Sequence, residues 1–159
     1  MKALVIYDSV FGNTEQIAQA IGTAMGPQTE TEVLKVPSVK PEHLTGLQFL
    51  IVGSPTRAFS PTPAIKTFLK SIPKGNLKGI KVAAFDTRIS MSDVNSRILP
   101  PLVKIFGYAA KPIAERLKKK GGDLIVVPEG FFVEGSEGPL KDGELERAAA
   151  WAKQILARQ

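Results

Sequence analysis

The chain has 159 residues, 43% of them apolar, one histidine, no cysteine, and 21 Lys and Arg against 15 Asp and Glu. Such a length and apolar share suit one soluble globular domain over residues 1–159 with a real core, and exclude a disordered or fibrous chain. The absence of cysteine excludes disulfides, thiolate catalysis and Cys-ligated zinc or iron–sulfur centres, so redox chemistry would require a bound cofactor.

The N-terminus turns acidic at Asp8, too early for a secretory leader. No run of ~18 apolar residues offers a membrane span, and a cytoplasmic location is expected. Ala3 to Tyr7 is an apolar run that predicts a buried strand. It leads at once into Ser9-Val10-Phe11-Gly12-Asn13-Thr14-Glu15, and a helical pattern over 14–26 follows through Ile17, Ala18, Ile21 and Met25. Unpaired N–H groups and the positive dipole end at such a helix start attract an anion. Ser9 and Thr14 add hydroxyl donors, and Gly12 and Asn13 can adopt the backbone angles that wrap amides round a phosphate. No residue of the loop is cationic. The local chemistry also allows a plain connection in which Thr14 or Asn13 only caps the helix.

Further strands are expected at 31–36, 48–53, 80–86 and 123–127, with helices at 62–72, 108–120 and 142–157 and a short helical turn near 41–46. The run 48–53 is nearly all apolar, as for a parallel strand covered on both faces. The alternation predicts an α/β fold with a doubly wound, five-stranded parallel sheet of order 2-1-3-4-5, whose ligand sits at the carboxyl ends of the strands. After the third strand, residues 53–63 hold four hydroxyls and three prolines, a stiff polar turn at that same edge. One connection, Thr87 to Gly107, is long enough to be functional. Its apolar residues Ile98, Leu99, Leu102, Val103, Ile105 and Phe106 are expected to cover core, with Thr87 to Ile89 lining the site.

Charge is lopsided. Residues 57–120 carry fourteen Lys and Arg against Asp86, Asp93 and Glu115, while the rest carries seven against twelve acids. Aromatic interleaving and recognition elements are missing, which argues against nucleic-acid binding. A phospho-acceptor receiver needs an Asp after strand three and a Lys after strand five, where Gly53-Ser54 and Pro128-Glu129 stand. The dinucleotide fingerprint and the Gly-x-Ser-x-Gly elbow are both missing. His43 lacks partners for a metal. Trp151 and Tyr108 read as packing residues.

Ser-x-x-Gly-Asn-Thr-Glu after an N-terminal strand resembles the FMN phosphate loop of flavodoxins, with Phe11 where the family usually has Thr. Gly53-Ser54-Pro55-Thr56 resembles their second flavin loop, and Gly130 to Gly135 followed by a helix with Trp151 resembles their last strand and helix, so the likeness covers essentially the whole chain. The resemblance implies a flavodoxin-like fold and non-covalent FMN. It implies cofactor contacts from Ser9, Val10, Phe11, Gly12, Asn13 and Thr14, from Pro55, Thr56, Arg57, Ala58 and Phe59, and from Thr87, Arg88 and Ile89. It further implies electron transfer between protein partners, with no catalytic side chain. The sequence departs from the family in having Arg57 at the usual Trp, no Tyr or Trp in residues 87–89, and Ala58 at a frequent Gly. The basic 57–120 segment predicts partners that are acidic where they dock. Two other functions fit the same residues: an FMN-dependent NAD(P)H:quinone-type reductase, and a binding module of this fold without cofactor.

Overall fold

The structure, a computed structural model, describes residues 1–89 and 108–158. The apolar segment Ile98 to Phe106 named above lies outside the described residues.

Among the described residues, six strands and four α-helices follow one another: β1 Lys2–Tyr7, α1 Asn13–Ala24, β2 Glu30–Lys35, β3 Phe49–Pro55, α2 Pro63–Ser71, β4 Lys81–Ile89, α3 Ala110–Lys119, β5 Asp123–Leu124, β6 Glu129–Val133 and α4 Glu144–Leu156. All pairings are parallel, in the order β2-β1-β3-β4-β5, with β6 also on β4. The expected order 2-1-3-4-5 therefore holds. The helical turn expected near 41–46 is a 3₁₀ turn over Pro41–Leu44. In it the Nδ1 of His43 accepts the amide of Lys40 at 2.8 Å.

The fifth position of the sheet departs from the expected single strand over 123–127. Val82 pairs with Leu124 and Phe85 with Glu129, so the edge chain spends five residues where β4 spends three. Pro128 has no N–H to give a ladder, and Val127 turns to solvent at 83% exposure. The edge is thus split, and its second piece pairs with the upper half of β4.

That pairing carries β4 beyond its expected end. Thr87, Arg88 and Ile89 match Phe131, Phe132 and Val133, and on the other side Ser54 and Pro55 of β3 match Asp86 and Thr87. The segment 87–89 is therefore strand, not loop, and two rigid ladders aim its side chains.

Helices α1 and α4 bury one face of the sheet and α2 and α3 the other. On the first face Phe85, Phe131 and Trp151 meet edge to face with every pair of centroids 6.1 Å apart, an arrangement that favours aromatic pairs beyond their buried area. Trp151 is 4% exposed, a core residue. Gly53 lies directly over the Phe85 ring, where a Cβ would stand 2.0 Å from it; only glycine lets β3 cross that aromatic cluster. The edge piece β6 is pinned by Glu144, which accepts the amide of Phe132 at 2.7 Å and binds Arg147. Arg147 in turn donates to the carbonyl of Gly130 and pairs with Glu129 at 3.1 Å. Burial pushes Glu144 up, but bonds from Arg147 and Phe132 outweigh it and hold this carboxyl below its usual range.

Candidate functional site

A cavity of about 350 Å³ opens at the carboxyl edge of the sheet, where the order β2-β1-β3 reverses direction and ligands settle in such folds. Three stretches of chain converge on it: Ser9 to Thr14, Pro55 to Ala58, and Thr87 to Ile89. Among the residues expected there, Gly12 and Phe59 do not line it. Gly12 faces the groove between α1 and α4, and its part at the site is backbone shape: at φ 93° it turns the chain from strand into helix, in the left-handed region that favours glycine.

The 9–14 loop is built to leave its amides open. Ser9 N–H is taken by Asp8 Oδ1 at 2.9 Å and Gly12 N–H by Ser9 Oγ at 3.0 Å. The first helical bond of α1 runs from Gln16 to Gly12, and no side chain caps the helix. Among the described residues no acceptor takes the amides of Val10, Phe11, Asn13, Thr14 or Glu15. Unpaired donors of this kind at a helix start are stable only with water or an anion. The one acid of the first turn, Glu15, does not line the cavity: it lines the groove between α1 and α4 and accepts the Tyr7 hydroxyl at 3.0 Å. Simple capping by Thr14 or Asn13 is not what the residues do. Thr14 is 1% exposed and shares a hydroxyl bond of 2.8 Å with Thr87, which ties the first stretch to the third. Asn13 Nδ2 donates to the carbonyl of Glu137 at 3.0 Å.

That last bond brings in two lining residues that the sequence did not single out, Val133 and Ser136. Val133 ends β6 and Ser136 follows it, more than a hundred residues from the loop they meet. The one signal in the sequence was the Gly130 to Gly135 stretch itself, whose strand ends at Val133.

The second stretch is a closed turn. Thr62 N–H donates to Ser54 Oγ at 3.0 Å across its base, and Thr62 caps α2 by accepting from Ile65. At its tip Arg57 and Ser60 exchange both backbone bonds, at 2.9 and 3.0 Å, and the two residues between them are left-handed: Ala58 at φ 48° and Phe59 at φ 66°. This is the two-residue turn that hairpins usually build from Asn-Gly. Built from Ala and Phe, it stores strain at the rim of the cavity.

The two site arginines differ. Arg57 is exposed, and its guanidinium lies 5.8 Å from the centre of the Phe11 ring, a cation–π distance. Among the described residues no carboxylate pairs with it. Arg88 is committed. It holds the fully buried Asp86 through two bonds of 2.7 Å, and its guanidinium stacks 3.7 Å from the Tyr108 ring. Burial pushes Asp86 above the ordinary carboxylate range, opposed by the donors from Arg88 and by the amide of Ala110, which it accepts at 2.9 Å. Asp86 thereby caps α3, and Thr56 Oγ1 takes the neighbouring amide of Ala109 at 3.1 Å. These two acceptors hold the first turn of α3, which begins at Ala110 where the sequence suggested 108.

Among the described residues no group of His, Asp and Glu could hold a metal ion, and no helix is long and apolar enough to cross a membrane. A family model of flavodoxins matches residues 5–151. The fold is similar to that of oxidised flavodoxin 1 from Bacillus cereus (TM-score 0.78, 19% identity, covering 100% of this chain and 99% of that one). Flavodoxin 2 from the same organism is similar too (0.76, 22%, 100% of both chains), as is a flavodoxin from the domain Archaea (0.73, 23%, 99% and 98%).

Proposed function

This chain belongs to the flavodoxin family, and from that premise we propose that the three-stretch cavity is where it holds FMN, with the phosphate in the amide cradle of Val10 to Glu15. It is an FMN-binding electron-transfer protein, an electron carrier and not an enzyme, and residues 1–159 form one domain of this fold. The observation that carries the site is the set of five amides with no acceptor among the described residues at one end of the cavity, which Glu15 does not line. A doubly charged phosphate group satisfies such donors with charge-assisted bonds and gains from the α1 dipole. Ser9, Val10, Phe11, Gly12, Asn13 and Thr14 then form the phosphate end. Pro55, Thr56, Arg57 and Ala58 wall the ring on one side, with Phe59 shaping their turn, and Thr87, Arg88 and Ile89 wall it on the other.

FMN supplies the one-electron chemistry when bound, and the side chains supply position and field. Thr87 fixes the Thr14 hydroxyl. The Ser54–Thr62 bond and the Asp86–Arg88 pair keep the two walls from relaxing. Arg57, exposed at the rim with no carboxylate partner among the described residues, adds positive potential where a partner would approach. The protein exchanges electrons with redox protein partners, and we place acidic groups on their docking surfaces, because residues 57–120 are so strongly basic.

Reconstitution tests the site. Apoprotein titrated with FMN should quench flavin fluorescence to a sharp end-point at one FMN per chain. A saturation well below one would remove the assignment.

A further inference from the structure

The cofactor site makes no use of a second feature, the cleft of about 240 Å³ between α2 and α3. It is lined by Pro61, Lys66, Leu69, Lys70, Pro112 and Arg116. Lys66, Lys70 and Arg116 are exposed, and among the described residues none of them has a carboxylate within ion-pair distance. Three uncompensated cations round one cleft raise a local positive potential that repels itself and attracts an acidic surface.

The cleft is built on elements that lead out of the cofactor pocket. In a parallel α/β sheet each helix after a strand starts at the carboxyl edge, so Lys66 in the first turn of α2 and Pro112 in the first turn of α3 stand on the edge where the pocket opens. Lys70 and Arg116 lie one turn further along. Pro61 follows directly on the Arg57 to Ser60 turn, whose Arg57 and Ala58 line the pocket. The caps from Thr56 and Asp86 fix the start of α3 to the pocket walls. Charge seated in the cleft is therefore held on elements that also build the pocket proposed for FMN.

We propose that the α2–α3 face is the docking surface for an acidic redox protein, with Lys66, Lys70 and Arg116 as the charges that steer and seat it; this rests on the FMN pocket and the acidic partners proposed above. Other polyanions fit less well. The cleft offers no aromatic side chain on which a nucleobase could stack. Among the described residues the exposed large apolar side chains are Met1, Val10, Phe11, Val127 and Leu145, none of them on α2 or α3, and they offer this face no apolar half of a membrane-binding surface. A small, charge-guided patch suits electron-transfer encounters, whose interfaces fall below about 1,200 Å².

Stopped-flow oxidation of the reduced, FMN-loaded protein tests this with two haem proteins as probes, acidic cytochrome b5 and basic cytochrome c. The variants are Lys66→Ala/Lys70→Ala/Arg116→Ala and, as a charge control from elsewhere, Lys35→Ala/Lys153→Ala. At low salt the triple variant should react with cytochrome b5 about 5–10 times more slowly than wild type, and the gap should close at high ionic strength as screening shortens the field. The control should react at the wild-type rate, and FMN affinity should be equal in all three proteins. Cytochrome c should not react more slowly with the triple variant. A wild-type rate that falls with salt, matched in size and slope by the triple variant, would overturn the face and leave the acidic-partner assignment standing. A wild-type rate with cytochrome b5 that is flat or rises with salt would overturn both. Sedimentation with anionic vesicles that needs these same three cations would assign the face to a membrane instead.

Discussion

Replacing Thr14 by valine removes one hydroxyl and little volume, and the structure sets what that should cost. Thr14 is 1% exposed and its Oγ1 lies 2.8 Å from that of Thr87. In the proposed placement of FMN, the Thr14 hydroxyl would donate to the phosphate while accepting from Thr87. A hydrogen bond to a charged group contributes about 1.5–3 kcal/mol, roughly 10- to 150-fold in Kd. Thr14→Val should therefore weaken FMN by that factor and leave riboflavin, which has no phosphate, within about twofold of wild type, since it loses no charged bond. Thr87→Val is the counterpart. It strands the Thr14 hydroxyl in the apoprotein, a loss of about 1–3 kcal/mol of stability for a buried unsatisfied group, yet FMN itself can satisfy that hydroxyl. Its FMN affinity should stay within about threefold of wild type while the apoprotein melts earlier. Isothermal titration with both flavins, beside thermal unfolding of each apoprotein, reads all four quantities. Equal losses for FMN and riboflavin in Thr14→Val would refute the phosphate bond and indicate damage to the loop.

Arg57→Gln should make the second one-electron potential of the bound FMN more negative by about 20–60 mV at low salt, since a solvent-screened cation several ångströms away contributes on that order; an unchanged potentiometric titration would put Arg57 away from the ring. Arg88→Gln should act on stability instead, by about 3–5 kcal/mol in urea unfolding, because it leaves Asp86 buried and unpaired. Ala58→Gly should raise stability by about 0.5–1 kcal/mol, the relief of a left-handed alanine less the added chain entropy; a lower melting temperature would show the turn unstrained. Glu144 has its folded pKa held below the ordinary 4.5, so it stabilises the fold above that value, and the contribution is lost as pH falls through the folded pKa. Urea unfolding at pH 7 and below pH 4.5 should show Glu144→Gln less stable than wild type at pH 7 and the difference shrinking in acid.

The β1–loop–α1 unit was legible because its signals are local: an apolar run, a glycine at the turn, and helical spacing through Ile17, Ala18 and Ile21 within some twenty residues of chain. Alternation of strands and helices pointed to a doubly wound sheet, and five strands starting at the N-terminus to the order 2-1-3-4-5. The broken edge was not legible, because Ile125, Val126 and Val127 have every mark of a strand, and only the register against β4 shows that Val127 faces water. The ends of β3 and β4 were set too short for the same reason, since their last residues owe their form to partners across the ladder. The site residues within one stretch could be listed, but not the bonds between stretches. Thr14 with Thr87, Asn13 with Glu137, and Arg88 with Tyr108 join residues that only the folded sheet brings together. The Asp86–Arg88 pair had a readable clue, since residues two apart in a strand share a face, yet its burial beside α3 depends on tertiary packing.

The central claim is that this electron carrier anchors FMN by its phosphate through open amides, with no cation in the loop to reach a longer pyrophosphate. Equilibrium titration of the wild-type apoprotein with FMN, riboflavin and FAD under one set of conditions tests it most directly. The amide cradle predicts FMN tighter than riboflavin by at least about 100-fold, some two charged hydrogen bonds, with FAD also far weaker than FMN. Riboflavin binding as tightly as FMN would contradict it.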